Sequence, residues 1–440
     1  MDLNTHTTNT ASPPDKTEVR RLIALFALAY FAQGLSQAGG LISQPLSYYL
    51  KTGLGLSAAD VSSYLAILSI PWMIKPLYGL ISDYIPLFGY RRRTWLMLVN
   101  LIAASGFLWL AGLTEVGTIV TALVITAFGT AFSDVIIDAL VVENGNRTGQ
   151  TGRFQGMQWI AFRVAAILTA LTGGYLASWF EPASSLHVAA TITMLAPISL
   201  LTLTYLIVKE EKTEMDIEEL RATARSTWAA IKSPTLHISA AFLALWCFSP
   251  AFGTPMYYHM TDNLKFEQQF IGQITAMTSV GGLIGAIAYT RLLADKSVSF
   301  RATFAVIAAA CAMLSYHLVT QPGEYTSQLM PALNVISGSL MQIGALTIFA
   351  IAAAACPPRA EAFTFAAMMS LYNGVEQFSA ILGSRLYDEV FEKQLGPLLW
   401  VAAGSILLCL LLVPLLSRLD TGKNADPDSD DGMALEGTEA

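Results

Sequence analysis

Charged residues are scarce in this chain of 440 residues. Asp, Glu, Lys and Arg make up 13% of it, against 54% for the apolar residues, whereas an average soluble domain is roughly one quarter charged. Apolar runs of about 20 residues, long enough to cross a bilayer, recur from Leu22 to Leu416. This composition excludes an ordinary water-soluble enzyme and indicates a protein that crosses the membrane several times.

Motifs of enzymatic and ATP-driven chemistry are also missing. The sequence has no Gly-x-x-x-x-Gly-Lys-Ser/Thr loop for phosphates, no Gly-x-Ser-x-Gly elbow and no His-Glu-x-x-His helix. The five histidines are scattered and the four cysteines lie singly in apolar surroundings, so neither a metal site nor a disulfide framework is indicated. We therefore expect no enzyme activity, no cofactor and no metal.

The net charge of −7 comes almost entirely from the C-terminal tail. Residues 419–440 hold seven acidic residues and one lysine, so the rest of the chain is close to neutral. This balance gives no reason to expect a nucleic-acid partner. The composition of the tail is typical of a disordered, solvated segment.

The apolar runs and their polar breaks predict an all-α membrane protein with twelve transmembrane helices. These begin near Leu22, Val61, Thr94, Val116, Phe154, Leu186, Leu236, Phe270, Ala302, Leu329, Ala362 and Leu395. Cytoplasmic loops hold an excess of Lys and Arg, and nineteen of the 25 fall in the tails and the loops on their side, against three in the opposite loops. We therefore expect a protein of the cell (inner) membrane with both termini in the cytoplasm.

An internal repeat divides the apolar region in two. Residues 44–57 align without gaps with residues 254–267, and residues 173–176 align with 383–386, both at an offset of 210. Parallel repeats of this kind are typical of alternating-access transporters. The predicted parts are a cytoplasmic N-tail (1–21), an N-terminal six-helix bundle (22–208), a linker with an amphipathic helix (209–235), a C-terminal six-helix bundle (236–417) and a disordered acidic tail (418–440).

Lys75 is the first candidate for a binding residue, because an ionisable side chain inside a membrane helix is costly and marks a site. It lies between Pro71 and Pro76, which interrupt the backbone hydrogen bonds around it. We predict that Lys75 binds an anion. The alternative is a lysine whose stem extends to the membrane interface.

Asp134 and Asp138 are four residues apart and so share one face of a helix. Two such carboxylates can bind and release a proton, or they can neutralise Lys75 and Arg163 in a structural ion-pair network. Arg163 follows Gln158 in the next helix. Its planar guanidinium suits a carboxylate or a ring carbonyl.

Further polar residues can complete a site. Asn373, Glu376 and Gln377 lie in the eleventh predicted helix, which repeats the fifth, and they offer donors and acceptors to a flat heterocycle. Gln33 and Gln37 lie four residues apart in the first helix and add polar lining. Ordinary hydrogen bonds between packed membrane helices are the alternative for all five.

A loop motif follows the second helix, with Gly79 and Asp83 before it and Arg91 and Arg92 within it. It resembles the helix 2 to 3 loop of the major facilitator superfamily. An Asp at a helix end that faces arginines can form a charge-assisted latch that holds one conformation closed. In the second half, Tyr289 stands where the Asp is expected, so we expect a weaker latch there.

The most specific pattern in the sequence is Pro-Trp-x-x-Lys-Pro-x-x-Gly-x-x-x-Asp, from Pro71 to Asp83. Together with residues 134–141, Phe162-Arg163 and residues 250–264, it resembles the folate-biopterin transporter family within the major facilitator superfamily. The resemblance covers nearly the whole membrane core. It implies a transporter of twelve helices that moves pterins, folates or related organic anions by proton symport.

The same resemblance implies roles for the candidate residues. Lys75 and Arg163 would meet the carboxylate or pterin carbonyl of the substrate, Asp134 or Asp138 would take the coupled proton, and the polar residues of the eleventh helix would orient the ring. We expect a monomer whose partners are the organic anion, protons and the lipid bilayer. The alternatives are a major facilitator transporter of another amphipathic solute, such as a cell-wall fragment or a drug, and a non-transporting membrane receptor.

Overall fold

The computed structural model describes residues 16–37, 39–213, 233–323, 325–356 and 361–416. Seventeen α-helices lie in these ranges. They are α1 (Lys16–Ser36), α2 (Ser43–Tyr48), α3 (Ala58–Ile67), α4 (Ile70–Met73), α5 (Lys75–Tyr84), α6 (Arg93–Leu110), α7 (Val116–Thr148), α8 (Thr151–Trp179), α9 (Pro182–Ile207), α10 (Pro234–Cys247), α11 (Thr254–Asp262), α12 (Gln268–Ala288), α13 (Val298–Ser315), α14 (Thr326–Ala355), α15 (Glu361–Arg385), α16 (Leu395–Leu408) and α17 (Val413–Leu416).

The predicted amphipathic helix of the linker and the acidic tail lie outside the described residues. Of the predicted N-tail, only residues 16–21 are described, and they form the first turns of α1. Glu18 lies in the first turn, where a negative charge is favourable because of the helix dipole.

Eight helical stretches are long and apolar enough to cross a membrane. They are Lys16–Ser36, Arg93–Leu110, Val116–Thr148, Thr151–Trp179, Pro182–Ile207, Gln268–Leu293, Val298–Val319 and Thr326–Ala355. Two shorter apolar stretches, Pro234–Cys247 and Leu395–Leu411, begin near two further predicted crossings. In the described ranges the only β pairing is an isolated bridge between Leu87 and Tyr90. The predicted all-α membrane fold is confirmed, and the count of twelve crossings stays a prediction.

Helix starts repeat at the offset found in the sequence. Two helices of the N-half (residues 16–213) begin 210 residues before two helices of the C-half (residues 233–416). The paired starts are Ala58 and Gln268, and Val116 and Thr326. Positions 210 residues apart can therefore be compared directly within these helices.

Both halves interrupt their first helix at nearly the same place in the repeat. Residues 37–42 separate α1 from α2, and residues 248–253 separate α10 from α11. Pro250 has no backbone N–H and cannot continue a helical ladder. Gly253 has a φ of 79°, which residues with a side chain rarely adopt. These breaks leave short helices, α2 and α11, that contact the opposite half.

The two halves are joined by hydrogen bonds at one end of the bundle, the Lys51 end. The ammonium group of Lys51 contacts the carboxylate of Asp262 and the hydroxyl of Thr261. The backbone N–H of Ala59 donates to Oδ2 of Asp388 over 2.8 Å. Each of these contacts crosses from the N-half to the C-half.

Two close helix crossings lie near the Lys51 end. The hydroxyls of Ser62 and Ser384 are 2.6 Å apart and buried. Gly174 of α8 faces Gly272 of α12, where an added Cβ on Gly174 would lie 2.9 Å from the Gly272 Cα. Small residues permit this approach, as they do between membrane helices generally.

Candidate functional site

The helix is interrupted next to Lys75, and the two halves make a contact at this interruption. Pro76 has no N–H, so the carbonyl of Trp72, four residues earlier, loses its usual helical partner. Ile74, with φ −103° and ψ 16°, separates α4 from α5. Nδ2 of Asn373 in the C-half donates to the Trp72 carbonyl over 3.3 Å. The proline thus frees an acceptor that the opposite half occupies.

Lys75 forms an ion pair with Asp134 of α7. Its ammonium contacts Oδ2 of Asp134 and lies 4.7 Å from the centre of the Trp72 ring. The Gln33 amide of α1 donates to the other carboxylate oxygen. The side chains of Lys75 and Asp134 are only 18% and 7% exposed, so removing either partner would leave the other charge poorly solvated.

Asp138 lies one turn after Asp134 in α7, on the same face of the helix. The hydroxyl of Tyr30 in α1 donates to Oδ1 of Asp138, and the buried Gln158 lies close to the same carboxyl. Trp159 and Phe162 present their rings edge-on to Tyr30, at centroid distances of 6.4 and 6.5 Å. Three helices of the N-half thus position this carboxyl beside aromatic surface. We call Tyr30, Gln33, Lys75, Asp134 and Asp138 the carboxylate cluster.

Arg163 stands apart from the carboxylate cluster. Its Nη2 donates to Oε1 of Gln342 on α14, in the C-half. An added Cβ on Gly282 would lie 3.4 Å from the guanidinium. Arg163 forms no ion pair with any residue that the structure describes, so the predicted ion-pair network includes Lys75 but not Arg163. A guanidinium between the halves without an acidic partner is suited to bind an anion.

The polar residues predicted on α15 lie toward the same region. Tyr372 is close to both Arg163 and Glu376. Glu376 is exposed and Gln377 is half-buried. Together with the contact of Asn373 at the helix break, these positions place one face of α15 beside the N-half.

Gln37 is placed differently from Gln33. The helix ends at Ser36, and Gln37 lies in the turn that follows, where its carbonyl accepts from the N–H of Gly40 over 2.8 Å. The structure therefore brings Gln33 to Asp134 and does not bring Gln37 into the carboxylate cluster.

Sequence reasoning missed three residues of the site: Tyr30, Trp72 and Gln342. None of these three is charged. Gln342 is a polar residue within the long apolar helix α14, and the rule that selected Gln33 and Asn373 applies to it as well. The contact of Tyr30 with Asp138 spans 108 residues, and no local pattern announces it.

The residues of the predicted latch meet at the opposite end of the bundle, the Arg92 end. The guanidinium of Arg92 lies 2.5 Å from Oδ1 of Asp83 and 2.7 Å from Oε1 of Glu143, and it donates to the Ser82 hydroxyl over 2.9 Å. Burial lowers the pKa of Arg92, but the two carboxylates raise it more, so the pKa lies above its ordinary value. These partners all belong to the N-half.

Arg91 and Gly79 do not take part in this ion-pair group. The backbone N–H groups from Arg91 to Arg93, at the start of α6, donate to the Glu210 carboxylate over 2.8 to 3.0 Å, as expected for an anion at a helix N-terminus. A Cβ added to Gly79 would meet Val135 at 3.8 Å. That is an ordinary contact, so close packing does not require glycine at this position.

The C-half has a simpler arginine contact near the same end of the bundle. Nη1 of Arg301 donates to the hydroxyl of Tyr289 over 2.8 Å. This arginine thus has a neutral oxygen as its partner, whereas Arg92 has two carboxylates.

Two repeated helical halves that meet around charges inside the membrane are the architecture of a secondary transporter, and solved structures have the same fold. The chain matches the nucleoside transporter NupG with a TM-score of 0.66 and 14% identity, over 91% of this chain and 99% of that one. It matches a D-xylose-proton symporter with a TM-score of 0.65 and 14% identity, over 90% and 96%. The protein therefore has the major facilitator fold.

The family follows from sequence comparison. The sequence model of the BT1 family matches residues 33–434, and this chain belongs to that family. It is 32% identical over 417 residues to "Folate-biopterin transporter" of Synechocystis sp., covering 91% of this chain and 82% of that protein. It is 23% identical over 433 residues to "Probable folate-biopterin transporter 4" of Arabidopsis thaliana, covering 82% and 87%. The predicted family resemblance is confirmed, and the protein is a transporter rather than an enzyme.

Proposed function

We propose that the protein is a proton symporter that moves a folate- or pterin-like organic anion across the membrane by alternating access. The names of its relatives supply the substrate class. The observation that carries the proposal is Arg163: a guanidinium at the junction of the halves that has no acidic partner among the described residues. Such a group favours an anionic substrate.

The substrate would be held from both halves. Arg163 binds its carboxylate, and Lys75 binds a second carboxylate or the pterin carbonyl. The edge-on rings beside Tyr30 and the Trp72 ring provide flat aromatic surface for a heterocycle. Asn373, Glu376 and Gln377 on α15 supply the donors and acceptors that orient the ring, and Gln158 and Gln33 complete the polar lining.

The proposed proton coupling depends on competition between the Asp134 carboxylate and the substrate anion for Lys75. In the structure the ammonium neutralises Asp134. A substrate anion that binds Lys75 withdraws this positive charge, so the carboxylate becomes easier to protonate. Asp138, held by Tyr30, is a second proton site on the same helical face. Substrate and proton would then enter together, because each makes binding of the other more favourable.

Alternating access gives the two ends of the bundle their roles. In the structure the halves are joined at the Lys51 end, and the contacts of Arg92 remain inside the N-half. We propose that the opposite state opens the Lys51 end and closes the Arg92 end, with Asp83 and Arg92 as the latch. The lysine and arginine distribution favours a cytoplasmic position for the Arg92 end and both termini, and we propose a monomer in the cell membrane.

The test is uptake of labelled folate, 5-formyltetrahydrofolate and biopterin into proteoliposomes that contain the purified protein. We expect an inward proton gradient to drive accumulation and a protonophore to abolish it. Arg163→Ala should lose uptake, whereas Arg153→Ala, at an exposed position at the start of the same helix, should retain it. Unchanged accumulation without a gradient would rule out symport.

The same preparation separates the alternatives. A bound ligand stabilises the folded state, so a rise in melting temperature with a cell-wall fragment or a drug, and none with pterins, would favour another amphipathic solute. Stabilisation by pterins without any flux would favour a receptor.

A further inference from the structure

A small cavity with both polar and apolar lining lies inside the N-half, among helices α1, α6, α7 and α9. Its polar lining residues are Gln33, Ser36, Asn100, Thr130, Ser133 and Asp134. The space open to the centre of a water molecule is about 10 Å³, which is roughly what one buried water requires. All the lining helices belong to the N-half, and the cavity shares Gln33 and Asp134 with the carboxylate cluster.

Hydrogen bonds hold the polar groups of this cavity in position. Asn100 is 3% exposed, and its Nδ2 donates to the Ser133 hydroxyl over 3.0 Å. Ser133 can therefore donate its own proton elsewhere. The hydroxyl of Thr130 donates to the Thr126 carbonyl over 2.7 Å, which leaves its oxygen free to accept. Pro197 of α9 also lines the cavity; because it has no N–H, it leaves the carbonyl one turn earlier without a helical donor.

The direct partners of Asp134 do not serve as proton carriers. The amide of Gln33 donates a hydrogen bond, but an amide does not ionise near neutral pH. The ammonium of Lys75 is the counter-charge of the carboxylate. A proton carrier at this position has to both donate and accept, and water does so.

We propose that this cavity binds one water molecule that carries the coupled proton to and from Asp134. When Asp134 is protonated, a hydronium ion loses one O–H bond, the carboxylate gains one, and a neutral water remains. Thr130, Ser133 and Asn100 orient this water. The inference rests on the proposed proton symport and adds the site through which the proton passes.

A sodium ion is the other occupant that such oxygens can hold. The Lys75 ammonium already neutralises Asp134, and a second cation beside it would be repelled. A water needs only about two to four polar partners, and the cavity offers hydroxyls and an amide in addition to the carboxylate. The geometry therefore favours water.

The test compares two matched valine variants in α7. Thr130→Val removes a hydroxyl that lines the cavity. Thr126→Val removes one a turn earlier, which is buried and donates to the Leu123 carbonyl over 2.8 Å but does not line the cavity. Each is measured with labelled folate in two modes: accumulation driven by an inward proton gradient, and exchange against internal unlabelled folate at equal pH, which needs no net proton transfer.

We expect Thr130→Val to slow gradient-driven accumulation about tenfold, equivalent to ~1.4 kcal/mol in the barrier, while exchange stays near wild type. Thr126→Val should retain both modes. Ser133→Ala provides a second variant if Thr130→Val does not fold, and it should show the same split.

Equal gradient-driven rates in Thr130→Val and wild type would overturn the water site, and so would an equal loss in both modes. Accumulation driven by a sodium gradient and lost in Thr130→Val would replace the water by a cation. If wild type itself shows no gradient-driven accumulation, the proposed symport fails and the water site fails with it. That result differs from a failure of the water site alone, in which wild type couples normally.

Discussion

The N-half and the C-half use the same positions of the repeat for opposite purposes. Lys75 and Asp134 in the N-half correspond to Gly285 and Gly344 in the C-half, 210 residues later. A Cβ added to Gly285 would lie 2.2 Å from the Ser339 carbonyl oxygen, and one on Gly344 would lie 2.0 Å from the Trp246 ring. The N-half places a buried ion pair where the C-half brings helices into contact.

The difference shows that the two copies of a duplicated fold can take different roles, one in function and one in packing. A buried ion pair is weak evidence for stability, because desolvation offsets much of the attraction, so the pair in the N-half is better explained by function. Close contact between helices supplies dispersion energy in a bilayer, where no hydrophobic force draws helices together. We infer that the N-half carries the chemistry and that the C-half is the rigid body against which it works.

The largest expected effect comes from filling the C-half contact. Gly285→Leu would place a side chain where even a Cβ collides with backbone, so we expect little folded protein in the membrane. Gly404→Leu is the matched control, because nothing lies within 4 Å of an added Cβ at that position of α16. Membrane abundance and the melting temperature of the purified protein are the measurements. Similar abundance of the two variants would show that the C-half is not tightly packed.

The second prediction tests whether the Lys75–Asp134 ion pair of the N-half serves transport or stability. Lys75→Ala should abolish uptake and also lower the melting temperature, because it leaves the Asp134 carboxylate without its counter-charge, at a cost of about 3–5 kcal/mol for a buried pair. The double variant Lys75→Ala, Asp134→Asn should recover the melting temperature and remain inactive. Recovery of uptake by the double variant would make the pair structural.

A smaller effect is expected at Arg163, which has no acidic partner among the described residues. Arg163→Gln should raise KM for folate about 10- to 100-fold, the loss of a charge-assisted bond of roughly 1.5–3 kcal/mol, with little change in melting temperature. The KM of Arg163→Lys for folate should lie between those of wild type and Arg163→Gln. If Arg163→Gln instead destabilises the protein and leaves KM unchanged, then its contact with Gln342 is a packing contact.

The smallest effect compares the two arginines near the Arg92 end of each half. Arg92→Gln removes bonds to two carboxylates that are themselves 42% and 48% exposed, so we expect a loss of about 1–2 kcal/mol in unfolding free energy. Arg301→Gln removes one bond to a hydroxyl and should cost about 0.5–1 kcal/mol. Chemical unfolding of the two variants in detergent gives the difference. Equal losses of unfolding free energy would show that the two arginine contacts contribute equally to stability.

Much of the fold was open to prediction because apolar length and repetition are local properties of a sequence. The apolar runs predicted the long helices, and the 210-residue offset matches the helix starts of the structure. The first turns of α1, by contrast, fall in a polar stretch that was predicted as tail. A helix can extend beyond its apolar run, and composition does not show where the helix begins.

The candidate site was predictable where a charged or amide side chain interrupts an apolar helix. Lys75 and Asp134 were found because ionisable groups are rare in a membrane helix. Their pairing with each other, and the separation of Arg163 from them, depend on how helices far apart in the chain pack. Gln342 lies 179 residues from Arg163, and no periodicity within either helix gives that distance. Gln37 follows the end of α1 at Ser36, and its place in the polar lining stays a prediction.

The contact between Lys51 and Thr261 joins two residues that are repeat equivalents, since their numbers differ by 210. A residue that touches its own counterpart lies on the pseudo-two-fold axis that relates the halves. In a symmetric dimer, such a contact is isologous: the same patch is used on both sides.

The two helix crossings at the Lys51 end obey the same symmetry. Ser62 is the counterpart of Gly272, and Ser384 is the counterpart of Gly174, so the serine pair and the glycine pair are one contact generated twice by the axis. The serine pair is held by a hydrogen bond, whereas the glycine pair is a packing contact between backbones. If the halves separate at the Lys51 end, as we propose, both contacts part together, and the side joined by the serines resists through a directional bond.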